Sequence, residues 1–254
     1  MRRGLWGPLL LALPLILFLS LPVAALLLRA AWPRLEGDVL AAVGVSLRTT
    51  AVSTVALLLF GTPLALLLAR QNLSGRGALE TLVTLPAVLP PAAAGLALLL
   101  ALGRRGFAGA VLHGVGIDLS FTMWAVVLAQ IYVAVPFFVR PLAAALRGLD
   151  PTLEEAAALD GAGGFALFWK IALPLVRRPL IVALTLAWAR ALGEFGATIL
   201  FAGNRAGETQ TLPLAIYLGF ETDINLAAGL ATVLLAVAVG VIAATSLLRG
   251  QEEA

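Results

Sequence analysis

Two side chains are spaced for work in an apolar setting: Arg190 and Glu194 stand four apart in the stretch 179–204, which holds no other Asp, Glu, Lys or Arg. That spacing puts both on one helical face, where guanidinium and carboxylate satisfy each other. Ionisable groups at membrane depth are costly and by default mark function. Two readings follow: an ion pair that fixes helix packing, or a pair beside a conduction path. One pair is meagre provision for a proton relay, which argues against an ion-coupled carrier. The rest of the reactive inventory is short. His113 is the only histidine and there is no cysteine, so neither a thiolate metal site nor a disulfide framework can be assembled and no second histidine or cysteine completes a site around His113; His113 reads as a solvated loop residue. Lys170 is the only lysine and no glycine-rich phosphate loop surrounds it. No catalytic, metal or cofactor-binding residue is expected on this chain, and any ATP that drives it must be bound elsewhere.

The elements that hold these residues are legible from where charge is missing. Charged residues make up 12% of the 254, against about 25% in soluble domains. Residues 4–28, 49–69, 81–103, 119–139 and 224–248 carry no charge at all, and 179–204 carries only the one pair. Twenty-one residues of helix cover about 31 Å, the thickness of a bilayer's hydrocarbon core. Backbone amides cannot go unpaired in lipid, so such runs must be helical. The expected fold is an all-α integral membrane protein, one domain over 1–254, with six spans at about 5–28, 47–69, 79–102, 120–143, 178–202 and 225–248. The first run follows Met1-Arg2-Arg3, but it is too long for a cleaved signal and contains Pro8, Pro14 and Pro22. It reads as a retained helix. With the N-terminus inside, ten of the 17 basic residues fall in inside loops and six outside, which favours both termini in the cytoplasm. A net charge of +3 scattered over loop ends is no nucleic-acid footprint.

The inside loop 144–177 is not a polar linker. Asp150-Pro151-Thr152-Leu153-Glu154-Glu155 reads as a helix start, with Pro in the first turn, acids at the positive helix end and Thr152 with Glu155 as a capping box. Gly161, Gly163 and Gly164 end it, and the apolar segment Phe165 to Ile171, with Phe168 and Trp169, precedes Pro174. Large apolar side chains on such a loop lie on the membrane surface or against the protein's own helices, or else dock a partner. Elsewhere, Pro86, Pro90 and Pro91 remove amide donors and kink the third span, while Gly193 and Gly196 allow close approach around the fifth. These positions suit a mobile, cavity-lining pair of helices; kinks that serve packing alone are the rival reading.

Glu155-Ala156-Ala157, then Gly161, then Ile171-Ala172-Leu173-Pro174 resembles the EAA loop of ABC-importer permeases, without a gap. Thr84 to Pro91, Gly103 to Phe107, Ala189 to Thr198, and Ala202-Gly203-Asn204 followed by Gly207 to Tyr217 look like the molybdate and tungstate branch of that family. Sulfate permeases share the Gly-Glu-Phe-Gly neighbourhood, and Asp160 stands where the branch more often has leucine. The resemblance covers roughly 45–220. It implies a type I importer permease fold in which Glu154, Glu155, Ala156, Ala157, Gly161, Gly163, Phe165 and Phe168 form a coupling helix for a separate ATPase. It implies a homodimer with two ATPase subunits that hold ATP and magnesium, and an external oxyanion-binding protein. Pro86, Pro90, Pro91, Arg190, Gly193, Glu194 and Gly196 become candidates for pathway or gate. Asn204, Glu208, Thr209 and Gln210, in the polar stretch 203–225, become candidates for docking the binding protein. The rival functions are a sulfate-type permease, a secondary anion carrier or channel, and a membrane enzyme; the carrier lacks further intramembrane acids or visible inverted repeats, and the enzyme lacks a cluster of catalytic groups.

Overall fold

The computed structural model describes residues 6–29, 37–70, 73–150, 152 and 167–250. Among the described residues every regular element is helical. In chain order they are α1 (Trp6–Arg29), α2 (Gly37–Ala69), α3 (Arg76–Val88), α4 (Pro91–Leu102), α5 (Gly109–Gly114), α6 (Met123–Arg147), α7 (Phe168–Leu175), α8 (Arg177–Leu192), α9 (Gly196–Ala202), α10 (Leu212–Thr222) and α11 (Ile224–Gly250). Four of them, α1, α2, α6 and α11, are long and apolar enough to cross a membrane unaided. The pairs α3–α4 and α7–α8 pass the same test together, bent by 118° and 70°, which brings the total to as many as six spans.

Proline sets the sharpest of these bends. Leu89 precedes Pro90 and Pro90 precedes Pro91, and a residue before proline is pushed out of the helical region. Both adopt extended torsions, ψ 136° and 137°. The helix restarts at Pro91, a first-turn position where a missing amide costs nothing. A gentler device occurs twice. In α2 the turn Leu57–Gly61 widens to a π-helix just ahead of Pro63, and in α7 Phe168–Ala172 does so just ahead of Pro174. Each π-turn takes in one extra residue and carries the helix through a proline that a regular α-helix would resist. Pro174 therefore lies inside α7 instead of ending it.

Helix ends differ from the charge-free runs at three places. α2 begins at Gly37, ten residues before 47, because the segment holding Arg48 has no breaker and Asp38 favours the positive end of a helix. α6 runs on through Arg140 to Arg147, and the stretch 203–225 contains a packed helix, α10.

The hub is α6, which packs against α8, α2, α3, α9 and α4. Its contact face carries Ala125, Ala129, Ala134 and Ala143, all at most 1% exposed; small side chains of this kind let helices approach closely where lipid offers no hydrophobic drive. One core cluster joins Leu57, Leu68, Phe138, Leu142 and Val176. A second joins Ala94, Val126, Val133 and Phe201, and a third ties Ala42 of α2 to Leu212 of α10 and Leu230 of α11. Gly61 is required at the first, because a Cβ there would lie 2.6 Å from the Phe138 ring. α1 buries none of its span and touches chiefly α11. Leu11, Phe18 and Leu21 on α1 and Phe60 on α2 are among many large apolar side chains facing outward, a surface suited to lipid and not to water.

Candidate functional site

The two proline- and glycine-bearing breaks come together. α9 packs chiefly on α4 and α6. A Cβ at Gly196 would lie 2.6 Å from Cβ of Pro91 and 3.2 Å from the Ala92 amide, and one at Gly95 would lie 2.8 Å from Cα of Ala197. Two short helices therefore start side by side, with backbone against backbone. Gly196 and Pro91, singled out as gate candidates, are in direct contact. Gly95 was not singled out, although the small run Ala92 to Gly95 carries the signal of a close helix contact. Gly193 sits in the break and is exposed, but its missing Cβ makes no close approach to another helix. Pro86 is buried within α3, and Pro90 lies exposed at the break itself.

Arg190 and Glu194 form a salt bridge of 2.7 Å, with Glu194 1% exposed and Arg190 27%. The carboxylate has a second partner. Its other oxygen accepts the Ala197 amide at 2.7 Å, a cap that the Phe195 side chain cannot supply to the start of α9. A negative charge at a helix N-terminus is favourable, so one buried carboxylate is neutralised from both sides and fixes the angle at which α8 hands over to α9.

A polar seam runs beside this junction. Ser46, Thr49, Thr50 and Ser53 line one face of α2, each at most 1% exposed. Gln130 of α6 donates through Nε2 to Thr49 Oγ1 at 3.1 Å and accepts from Ser53 Oγ at 3.3 Å. Ser46 Oγ accepts the Leu212 amide at 2.7 Å, which anchors α10. Sequence reasoning passed over these residues because they are uncharged. Their spacing of three and four marks one helical face and was the available signal.

At the end of the bundle that carries α10, Arg205 donates from Nη2 to the Phe121 carbonyl at 2.8 Å and pairs with Glu208. Phe121 holds a positive φ of 61° there, and Gly203 one of 73°. Among the docking candidates Glu208 is exposed and Asn204 half-buried, with no hydrogen-bond partner for its Oδ1. Thr209 and Gln210 are buried, and Thr209 Oγ1 accepts the Arg205 amide at 3.0 Å. Both shape the turn from within. Nearby, Asp118 bridges Arg104 at 3.1 Å and His113 at 2.9 Å. Among the described residues no group of three or more His, Cys, Asp or Glu gathers as a metal site would require.

Of the coupling candidates, Glu154, Glu155, Ala156, Ala157, Gly161, Gly163 and Phe165 lie outside the described residues. Phe168 is described. It is half-buried against the first core cluster and meets Trp169 edge to face at 5.5 Å, while Trp169 is 53% exposed. Upstream, Asp150 accepts the Thr152 amide at 3.0 Å, and this hydrogen bond holds its carboxyl below the usual carboxylate range.

Residues 61–250 match the family described as binding-protein-dependent transport system inner membrane component. The molybdenum transport system permease protein ModB of Mycobacterium bovis is 42% identical over 228 residues, covering 88% of this chain and 86% of that protein. Its Escherichia coli K12 counterpart is 43% identical over 182 residues, 71% and 80% of the two chains. Among solved structures, a bacterial ABC transporter that imports the acidic polysaccharide alginate matches 97% of this chain and 95% of its own, with a TM-score of 0.73 at 20% identity. A second, in complex with an alginate pentasaccharide-bound periplasmic protein, matches 96% and 93% with a TM-score of 0.68 at 20% identity. Apolar helices, interlocked breaks and these likenesses agree: the chain belongs to the family of inner membrane components of binding-protein-dependent transport systems, as a multi-pass membrane protein.

Proposed function

We propose that this chain is the membrane subunit of an ATP-driven importer for molybdate or tungstate. The likeness to molybdenum permeases over 88% of the chain carries the cargo class, and the contact of Gly196 with Pro91 carries the mechanism. Counting each bent pair as one span gives six, with both termini in the cytoplasm. Two copies enclose the pathway. Each offers its segment 144–177 to an ATPase subunit, which holds the ATP and magnesium; this chain hydrolyses nothing. An external binding protein delivers the anion to the opposite face, where the exposed Arg205 to Glu208 turn is on offer. ATP binding closes the ATPases, draws the two coupling segments together and turns the pathway outward, and hydrolysis resets it. The junction of α4 with α9 is suited to gating because it is a contact between helix starts, which part or close as units.

The test is reconstitution with ATPase and binding protein in vesicles. ATP-dependent uptake of molybdate or tungstate is the expected result. Uptake without ATPase subunits favours a carrier or channel, and uptake of sulfate alone favours the sulfate-type reading. Replacing Glu155 and Gly161 with bulky residues should abolish coupled uptake and ATPase assembly; unchanged values in both remove the coupling claim.

A further inference from the structure

Below the α3–α4 break, between α3, α6 and the end of α2, lies a cavity of about 490 Å³. Its lining includes Thr81, Thr84 and Val88 of α3 and Arg140, Ala143 and Arg147 of α6. Arg140 and Arg147 are seven residues apart, two helical turns, so they share a face of α6 and are separated by about 10 Å along the axis. Arg140 is exposed to the cavity and, among the described residues, has neither a hydrogen-bond nor an ion-pair partner. The helix continues for two turns beyond it, so the guanidinium stands on a regular, fixed stretch of α6 and not on its frayed end. Arg147 spends Nε on the Ala143 carbonyl at 3.3 Å. Its Nη1 stands 3.6 Å from Glu80, beyond hydrogen-bond length. Glu80 also lines the cavity but is already taken by Arg76 at 3.0 Å, so the lining itself sums to +1, and to +2 with Arg76 beside it, with most guanidinium donors of Arg140 and Arg147 unspent. Positive charge of this kind in a recess with low-dielectric walls concentrates anions, and guanidinium forks match the oxygens of a tetrahedral oxyanion.

We propose that this cavity is an oxyanion-holding site on the cytoplasmic side of the gate, with Arg140 as its principal donor and Arg147 as its second. The inference rests on the transport reading and adds a station to the route: an anion freed at the α4–α9 junction is held in the vestibule before it reaches the cytosol. The same chemistry would hold the phosphate of an anionic lipid headgroup.

Because the chain has no cysteine, a single reporter thiol can be introduced cleanly. In the assembled complex in nanodiscs of zwitterionic lipid, Thr81→Cys is labelled with an anionic thiosulfonate while tungstate is titrated. Saturable, several-fold slowing is expected. Arg140→Gln should weaken that protection about tenfold, the loss of one charge-assisted hydrogen bond, and Arg140→Lys should restore part of it. Protection that appears only with phosphatidylglycerol in the disc, and also depends on Arg140, assigns the site to the headgroup phosphate. No protection by either anion, or protection untouched by Arg140→Gln, overturns the proposal. ATP-driven uptake by the unsubstituted complex is measured alongside: intact uptake without protection refutes this site alone, whereas absent uptake refutes the transport reading.

Discussion

Gly196→Ala adds one methyl group where the structure leaves no room. The new Cβ would lie 2.6 Å from Pro91 Cβ and 3.2 Å from the Ala92 amide. Carbon atoms rest comfortably at about 3.5–4.0 Å, so α4 and α9 must part by about 1 Å. Neither neighbour is the end of a flexible side chain, which excludes the cheap remedy of a rotamer change. Overpacking of this kind costs about 1–3 kcal/mol. If the interlock belongs to one of the two states the importer alternates between, that cost shifts their balance, tenfold for each 1.4 kcal/mol or so. Uptake by the reconstituted complex should fall by about tenfold or more, while ATP hydrolysis without binding protein moves by a different factor. Gly240→Ala is the matched control, since nothing lies within 4 Å of its missing Cβ; helix propensity there favours alanine. Adding Pro91→Gly, which removes the other Cβ, should recover part of the loss in a double-mutant cycle. The reasoning fails if Gly196→Ala behaves like Gly240→Ala in uptake and thermal midpoint, or if the second substitution recovers nothing.

Further substitutions test other contacts in the bundle. Arg190→Met strands a buried carboxylate and should lower stability by about 3–5 kcal/mol, more than Glu194→Gln, which still accepts the Ala197 amide; thermal midpoints of both and of the double variant, which should be milder than Arg190→Met, decide this. Gln130→Leu removes two hydrogen bonds inside the helix bundle and should cost only about 1 kcal/mol, read as a small drop in midpoint with uptake retained. Gly61→Ala meets the Phe138 ring at 2.6 Å and should cost about 1–3 kcal/mol, with Phe138→Leu in the same chain relieving part of it.

Much of this architecture is written in the residues. Charge-free runs located the apolar helices because lipid tolerates neither unpaired amides nor bare charges. Pro90-Pro91 marked the first break because proline acts on its own backbone; the fifth span was expected to run unbroken over 178–202, and the break between Leu192 and Gly196 was not foreseen. What escaped depends on partners distant in sequence. Proline announces a kink but not its size, and the 118° between α3 and α4 was not legible from Pro90-Pro91. Glu194 was legible as the partner of Arg190, whereas its capping of Ala197 needed the chain to turn first. Thr209 and Gln210 look like exposed loop residues until the Arg205 amide is seen to turn inward onto Thr209.

The widened turns ahead of Pro63 and Pro174 also govern the direction in which everything after them points. One surplus residue rotates the rest of a helix by about 100°, so Ala65 and Leu68 face the core only because Leu57–Gly61 takes up that residue first. Deleting a single leucine from this turn would leave composition and hydropathy almost untouched. It would let the turn close to a regular α-turn with Ala65 and Leu68 still facing the core, whereas one residue added where no widened turn absorbs it would swing the remainder of α2 toward lipid, an error in angle that a hydropathy profile could not register.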